Sequence, residues 1–125
     1  MELTITKTFN FEAAHFLPNF PDGHKCRRLH GHSFKVKVSI TGIPDPVTGV
    51  IMDFGEIKSQ VKPLIEKLDH QSLNDLGAQW NDSLLINPTS ENLSIWFFQQ
   101  LIKVLPNLKS ITIHETCTSQ CTVSQ

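Results

Sequence analysis

Three of the six histidines lie in one stretch, His24 to Phe34, which also contains one of the three cysteines. The stretch ends in His30-Gly31-His32 and continues into residues 34–40, where apolar and polar side chains alternate with the period of a half-buried strand. Side chains two apart on a strand share a face, so His30 and His32 should both point toward the core. Two neutral imidazoles at a core edge are two of the three protein ligands of a catalytic zinc site. The alternative is a pair of solvent-facing loop histidines.

The first predicted strand offers a third ligand, His15. Along residues 3–15 apolar and polar side chains alternate, and His15 is in phase with the apolar set at the end of the run. Antiparallel pairing of residues 3–16 with 32–42 would bring His15 beside His30 and His32. A lone histidine on an apolar face is usually a satisfied core residue. Three converging histidines instead favour a catalytic zinc site with one position left open.

Cys26 lies four residues before His30 and is flanked by Lys25, Arg27 and Arg28. Nearby cations favour the thiolate, which is a better base or nucleophile than the thiol. We therefore expect Cys26 to be a catalytic base, with the cations available to an anionic substrate. Two alternatives stay open at this point, in which Cys26 is either a fourth, structural zinc ligand or an inert thiol.

Two carboxylates could complete a catalytic arrangement. Asp69 precedes His70 at the end of a predicted helix, and a carboxylate that orients an imidazole can assist proton transfer, although adjacent Asp and His are common. Glu115 is in phase with Ile111 and Ile113 on the apolar face of a predicted strand, where an unpaired carboxylate is costly. Glu115 should therefore either pair with a cation or serve a ligand.

The elements that position these residues follow the order β-β-α-α-β-β. Capping and helical spacing predict a first helix over 54–68, with Asp53 as its N-cap. A second helix is predicted over about 90–105, with Thr89 as its N-cap. Residues 69–88 between them show no clear periodicity and are expected to be a long connection. We therefore predict an α+β fold with both helices on one face of a four-stranded antiparallel sheet.

Length and composition limit the class of protein. A chain of 125 residues is expected to form one domain, and a net charge of −1 implies no general attraction to nucleic acid or to an anionic membrane. We see no signal-peptide pattern and no apolar run of membrane-spanning length. Three cysteines are an odd number for a disulfide scaffold, so we expect a cytoplasmic location and interpret Cys117 and Cys121 as packing or loop residues. Small domains often gain stability by oligomerising.

Five separated motifs resemble those of the pyruvoyl-tetrahydropterin synthase family, in order and along nearly the whole chain. They are Phe11-Glu12-Ala13-Ala14-His15, the segment from His24 to His32, Leu68-Asp69-His70, Asn87-Pro88-Thr89-Ser90-Glu91 and Glu115-Thr116-Cys117-Thr118. The three residues between Cys26 and His30 are most similar to the bacterial branch of the family, 6-carboxytetrahydropterin synthase of the queuosine and 7-deazapurine pathway. The pyruvoyl branch typically has a longer gap there.

The resemblance implies a tunnelling fold (T-fold) over residues 1–125, whose subunits join their sheets into a barrel with active sites at subunit boundaries. A homo-hexamer is therefore expected. It also implies roles for the residues singled out above. These are Zn²⁺ on His15, His30 and His32, Cys26 as the base with His70 and Asp69 as its relay, and Glu115 as the residue that holds the pterin ring. We expect further substrate contacts at Thr89, Lys25 and Arg27.

The activity implied by the resemblance is that of a zinc-dependent carbon-carbon lyase. It would convert dihydroneopterin triphosphate to 6-carboxytetrahydropterin, with release of acetaldehyde and triphosphate. One alternative is the sister reaction that forms the 6-pyruvoyl compound. A second is a zinc-stabilised pterin-binding module without turnover, although the presence of Cys26 and His70 argues against it. A zinc deaminase does not fit, because the His-x-Glu and Pro-Cys-x-x-Cys pattern is missing.

Overall fold

A five-stranded sheet forms the centre of the molecule in the computed structural model, which describes all residues 1–125. Its strands are β1 (Leu3–His15), β2 (His30–Gly42), β3 (Gln71–Ser72), β4 (Leu108–Thr116) and β5 (Ser119–Ser124). They lie in the order β3-β1-β2-β4-β5. Every neighbouring pair is antiparallel except β1 and the two-residue β3, which are parallel.

The long β1–β2 hairpin pairs as the alternating pattern predicts. Phe34, Val36 and Val38 of β2 are fully buried, whereas Lys35 between them is exposed on the other face. The register places His15 opposite His30 and Ala13 opposite His32. The predicted pairing is confirmed and extends two residues further than predicted, to His30, so that His30 and His32 both lie on the strand as expected.

Four helices contribute to the core, rather than the two predicted. They are α1 (Phe54–Leu68), α2 (Leu73–Trp80), α3 (Ser83–Ile86) and α4 (Ser90–Leu101). The predicted bounds and N-cap of α1 are confirmed, with Asp53 Oδ1 accepting from the Gly55 N–H at 2.6 Å. The N-cap of α4 is also as predicted, but the helix ends at Leu101, because residues 102–104 form a turn before Pro106.

The expectation of a long connection over residues 69–88 is wrong. This segment contains β3, α2 and α3, which are too short to show a clear period in the sequence. Gly77 allows α2 to pack closely on the segment that follows, since a Cβ there would lie 2.4 Å from Ile86 N. The fold class is α+β as predicted, with one more strand and two more helices than expected.

Both edges of the sheet are largely unpaired within one chain. β3 covers β1 only at Ala13 and Ala14, and β5 has a neighbour on one side only. The outward-facing backbone N–H and C=O groups along residues 3–11 and along β5 are therefore available to pair with another chain. None of the helices combines the length and apolar character that a membrane span requires.

Candidate functional site

Four side chains converge where β1 ends and β2 begins. His15 closes β1, His30 and His32 open β2, and Glu115 comes from the end of β4. One potential ligand atom from each residue lies within 4.8 Å of those of the others. The antiparallel registers of β1 with β2 and of β2 with β4 bring these residues together. His15 is fully buried and the other three are half-buried, so the group lies at the edge of the core.

Backbone carbonyls orient two of the imidazoles. His15 Nδ1 lies 2.8 Å from the Pro88 carbonyl oxygen, and His30 Nδ1 lies 2.7 Å from that of Arg28. A carbonyl oxygen can only accept, so each Nδ1 carries the proton and donates it. The lone pair of each ring is then on Nε2. Metal-binding histidines are usually held in this way by an acceptor on the ring nitrogen that does not bind the metal.

Two ring nitrogens in the cluster are buried without a hydrogen-bond partner, His15 Nε2 and His32 Nε2. Glu115 Oε1 lies 3.9 Å from the first and 3.0 Å from the second, but neither contact has hydrogen-bond geometry. Buried unpaired polar atoms cost free energy unless a ligand satisfies them. Three imidazoles and a carboxylate suit a divalent transition metal such as zinc, so these residues fit a metal ion.

Burial keeps two of the histidines in the form that binds metal. Loss of hydration on burial lowers the pKa of His15, and the Pro88 hydrogen bond and Glu115 oppose this only in part. Burial is also the main cause of the lowered pKa of His32, again opposed by Glu115. Both rings are therefore neutral at neutral pH, and a neutral imidazole has the lone pair that a metal needs.

The Glu115 carboxylate is held between two elements. Its Oε2 accepts a 2.7 Å hydrogen bond from the hydroxyl of Ser90, the first residue of α4, while Oε1 faces the histidines. No lysine or arginine pairs with it. Of the two alternatives derived from the sequence, the structure favours a carboxylate kept for a ligand over one neutralised by a cation.

Cys26 lines a cleft of about 670 Å³ beside the histidine–glutamate cluster. The cleft is lined by Lys25, Cys26, Arg28, Leu29, His30, Gly31, His32, Glu115 and Thr116. Cys26 is half-buried in a short 3₁₀ turn, and its N–H donates to His24 Nδ1 at 3.0 Å. Glu115, and not Cys26, is the fourth member of the potential ligand group. The structure therefore disfavours Cys26 as a fourth zinc ligand.

The basic residues around Cys26 divide between two surroundings. Lys25 and Arg28 line the cleft, and the substrate contact expected at Lys25 stays a prediction. Arg27 is turned away, donating to the Phe20 carbonyl at 2.9 Å and pairing with Asp22 at 3.1 Å. The 3₁₀ turn thus brings Arg28, rather than the predicted Arg27, to the cleft.

Asp69 and His70 form the predicted pair, but His70 lines another cleft. Asp69 Oδ2 lies 2.9 Å from His70 Nδ1, and Asp69 Oδ1 accepts the Glu12 N–H at 2.8 Å. That N–H is the main cause of the lowered pKa of Asp69, followed by His70. His70 has a left-handed backbone (φ 59°) and lines a cleft of about 490 Å³ that does not include Cys26. One chain therefore does not bring Cys26 and His70 into the same cleft.

The segment before α4 supports the cluster in ways that the sequence did not predict. Thr89, expected to contact substrate, uses its hydroxyl to accept the Asn92 N–H at 3.0 Å. Its two neighbours hold the site, Pro88 through His15 and Ser90 through Glu115. Ser90 lies inside a motif noted in the sequence, which could have indicated its role. The contribution of the Pro88 carbonyl depends on a contact 73 residues away along the chain and gives no sequence signal.

Comparison with known proteins identifies the family to which this chain is similar. The model of the 6-pyruvoyl tetrahydropterin synthase family matches residues 4–125. A 6-carboxy-5,6,7,8-tetrahydropterin synthase from Synechocystis sp. is 43% identical over 122 residues, covering 92% of this chain and 88% of the relative. A dihydroneopterin monophosphate aldolase from Pyrococcus furiosus is 30% identical over 118 residues, covering 92% of this chain and 91% of the relative.

A solved structure shows the same architecture. The 6-pyruvoyl tetrahydropterin synthase of Caenorhabditis elegans superposes with a TM-score of 0.87 at 27% sequence identity. The match covers 100% of this chain and 96% of the other. The T-fold predicted from the motifs is therefore confirmed at the level of the subunit.

Proposed function

The chain belongs to the 6-pyruvoyl tetrahydropterin synthase family, and from this premise we propose that it is a zinc-dependent 6-carboxytetrahydropterin synthase. The observation that carries the proposal is the shared cleft of Cys26, His30, His32 and Glu115. The coarser conclusion, an enzyme of pterin chemistry, follows from the family. The proposed reaction converts dihydroneopterin triphosphate to 6-carboxytetrahydropterin with release of acetaldehyde and triphosphate. We place it in a cytoplasmic queuosine and 7-deazapurine pathway.

His15, His30 and His32 would hold the metal in this proposal. Zinc, when bound, would polarise the oxygens of the substrate side chain and make the neighbouring C–H bonds more acidic. The other protein groups bind the substrate and move protons. Cys26 accepts the proton from carbon, since it lines the same cleft as His30 and His32. Lys25 and Arg28 provide positive charge for the triphosphate.

Glu115 is proposed to hold the pterin ring. A pterin presents adjacent N–H donors, and a carboxylate can accept two of them at once. Ser90 restricts the carboxylate by its 2.7 Å hydrogen bond to Oε2, which supports a fixed orientation for the ring. In this assignment Glu115 lies next to the metal ligands and links the ring of the substrate to its reacting side chain.

We propose that the relay is completed between subunits of a homo-hexamer. Cys26 and His70 line different clefts of one chain, and both sheet edges are largely unpaired. Sheet joining through these edges would form closed rings, in which Asp69 and His70 of one subunit can approach Cys26 of another. Mixed oligomers of Cys26→Ala and His70→Ala should then recover part of the activity that each variant lacks. A protein that is monomeric by light scattering and fully active in solution would contradict the proposal.

The pyruvoyl-forming reaction is the second candidate, because the superposed structure from C. elegans belongs to such an enzyme. The three-residue gap between Cys26 and His30 and the 43% identical relative favour the carboxy product. Mass spectrometry of the products from dihydroneopterin triphosphate separates the two reactions. The same assay with no product at all would leave the pterin-binding module as the better description.

Metal analysis tests the remaining part of the proposal. About one zinc ion per chain is expected for a site with three histidine ligands. His30→Ala and His32→Ala should lose zinc and activity together, whereas Cys26→Ala should lose activity and keep zinc. Full zinc occupancy in a variant with all three histidines replaced by alanine would refute the metal assignment.

A further inference from the structure

Asn74, at the start of α2, is one of only three buried polar or charged residues of the chain, with His15 and Ser94. It is 7% exposed, and its amide bonds to two distant segments of backbone. Oδ1 accepts the Phe16 N–H at 2.9 Å, while Nδ2 donates to the carbonyls of Phe16 at 2.8 Å and Ile86 at 3.2 Å. One side chain therefore connects the end of β1 to the end of α3.

One of these segments lies next to the donor, and the other next to the acceptor, of a hydrogen bond in the metal site. Phe16 directly follows His15, the last residue of β1, and the Asn74 amide bonds its N–H and C=O as a neighbouring strand would. Ile86 lies two residues before Pro88, whose carbonyl accepts from His15 Nδ1 at 2.8 Å. Asn74 thus fixes the backbone next to the ring and the backbone next to its acceptor.

We propose that Asn74 is a positioning residue for the metal site, which sets the tautomer and the direction of the His15 ring through these two segments. The proposal rests on the proposed function to the extent that His15 is a metal ligand. Groups that orient metal ligands from outside the ligand shell typically contribute 10–100-fold in affinity. A residue that only satisfied buried backbone groups would change stability and leave metal affinity unaltered.

The first experiment compares zinc dissociation constants by competition with a chelator. Asn74→Ala should raise the constant by about 10–100-fold, the range found for such outer groups. The matched control is Val61→Ala in α1, a fully buried apolar residue that lines none of the clefts around the histidines. It should lose stability in urea and keep the zinc affinity of the parent within about twofold. Equal zinc affinities for parent and folded Asn74→Ala would overturn the proposal.

The second experiment needs no metal. Long-range ¹H–¹⁵N NMR of the metal-free protein should show the His15 ring as a single Nδ1–H tautomer in the parent and as a mixture in Asn74→Ala. If Asn74→Ala does not fold, Asn74→Asp retains the shape and the acceptor for the Phe16 N–H but loses both donated hydrogen bonds, and it should show the same mixture. A single Nδ1–H tautomer in a folded variant would overturn the proposal.

The two experiments separate the two levels of inference. A parent protein that binds zinc no better than His30→Ala would refute the proposed metal site. The NMR result would still decide whether Asn74 positions the His15 ring.

Discussion

Replacing Ser90 with alanine should weaken pterin binding and leave zinc binding unchanged. The hydroxyl of Ser90 donates to Glu115 Oε2 at 2.7 Å, the short distance of a charge-assisted hydrogen bond. Hydrogen bonds to charged groups contribute about 1.5–3 kcal/mol. The Glu115 side chain is 26% exposed, so water can replace part of the lost bond. We therefore expect a loss of about 1–2 kcal/mol, which is about 5- to 30-fold in affinity.

The assay is a titration of the zinc-loaded protein with a non-reacting pterin, accompanied by zinc analysis. Ser94→Ala provides the control, since Ser94 lies one turn further along α4 and its hydroxyl donates to the Glu91 carbonyl at 2.7 Å. Both variants remove a serine hydroxyl from the same helix, but only Ser90 contacts Glu115. Ser94→Ala should bind pterin like the parent.

Two results would refute this reasoning. If Ser90→Ala binds pterin within about twofold of the parent, its hydrogen bond does not order the carboxylate for the ring. If both serine variants lose affinity equally, the effect comes from general damage to α4.

Three further predictions test other parts of the structure. Gly77→Ala should lower the free energy of unfolding, measured in urea, by about 1–3 kcal/mol, because the added Cβ would lie 2.4 Å from backbone atoms of Leu85 and Ile86. Unchanged stability would show that α2 and α3 can separate without cost. Asp69 should titrate below its ordinary pKa of 3.8 in carboxyl-detected NMR, so the stability it contributes is present above that pH and is lost as the pH falls through the lower, folded value; a folded-state pKa at or above 3.8 would contradict this. Glu115→Gln should weaken pterin binding and retain zinc, and loss of zinc in that variant would make Glu115 a required ligand.

The histidine cluster was predictable because it depends on local rules. The two-residue period of β1 and β2 fixes the faces of His15, His30 and His32, and antiparallel pairing brings them to one end. The same two-residue period on β4 predicted that Glu115 lies on the apolar face of that strand. The bounds of α1 were equally local, since they depend on the Asp53 cap and the spacing of apolar residues.

The parts that could not be predicted depend on contacts between distant segments. Helix α3 has only four residues. Helix α2 can pack against it only because Gly77 has no side chain. The bonds from Asn74 join positions 58 and 12 residues away, and no pattern in the sequence marks them. Arg27 and Arg28 are neighbours in the sequence, and only the 3₁₀ turn decides which one reaches the cleft.

The arrangement of the site along the chain has a consequence for the order of folding. The three histidines of the cluster, His15, His30 and His32, all belong to the β1–β2 hairpin, within the first 42 residues. Residues 16–29 between the strands form a loop whose closure costs little entropy. Pro88 and Glu115 belong to segments that leave the ribosome much later. All three imidazoles are therefore available to a metal ion before Pro88 is added to the chain, and the His15 ring gains its hydrogen-bonded orientation only afterwards. The chain should accordingly refold faster when zinc is supplied at the start, whereas zinc added after collapse should have little effect on the refolding rate.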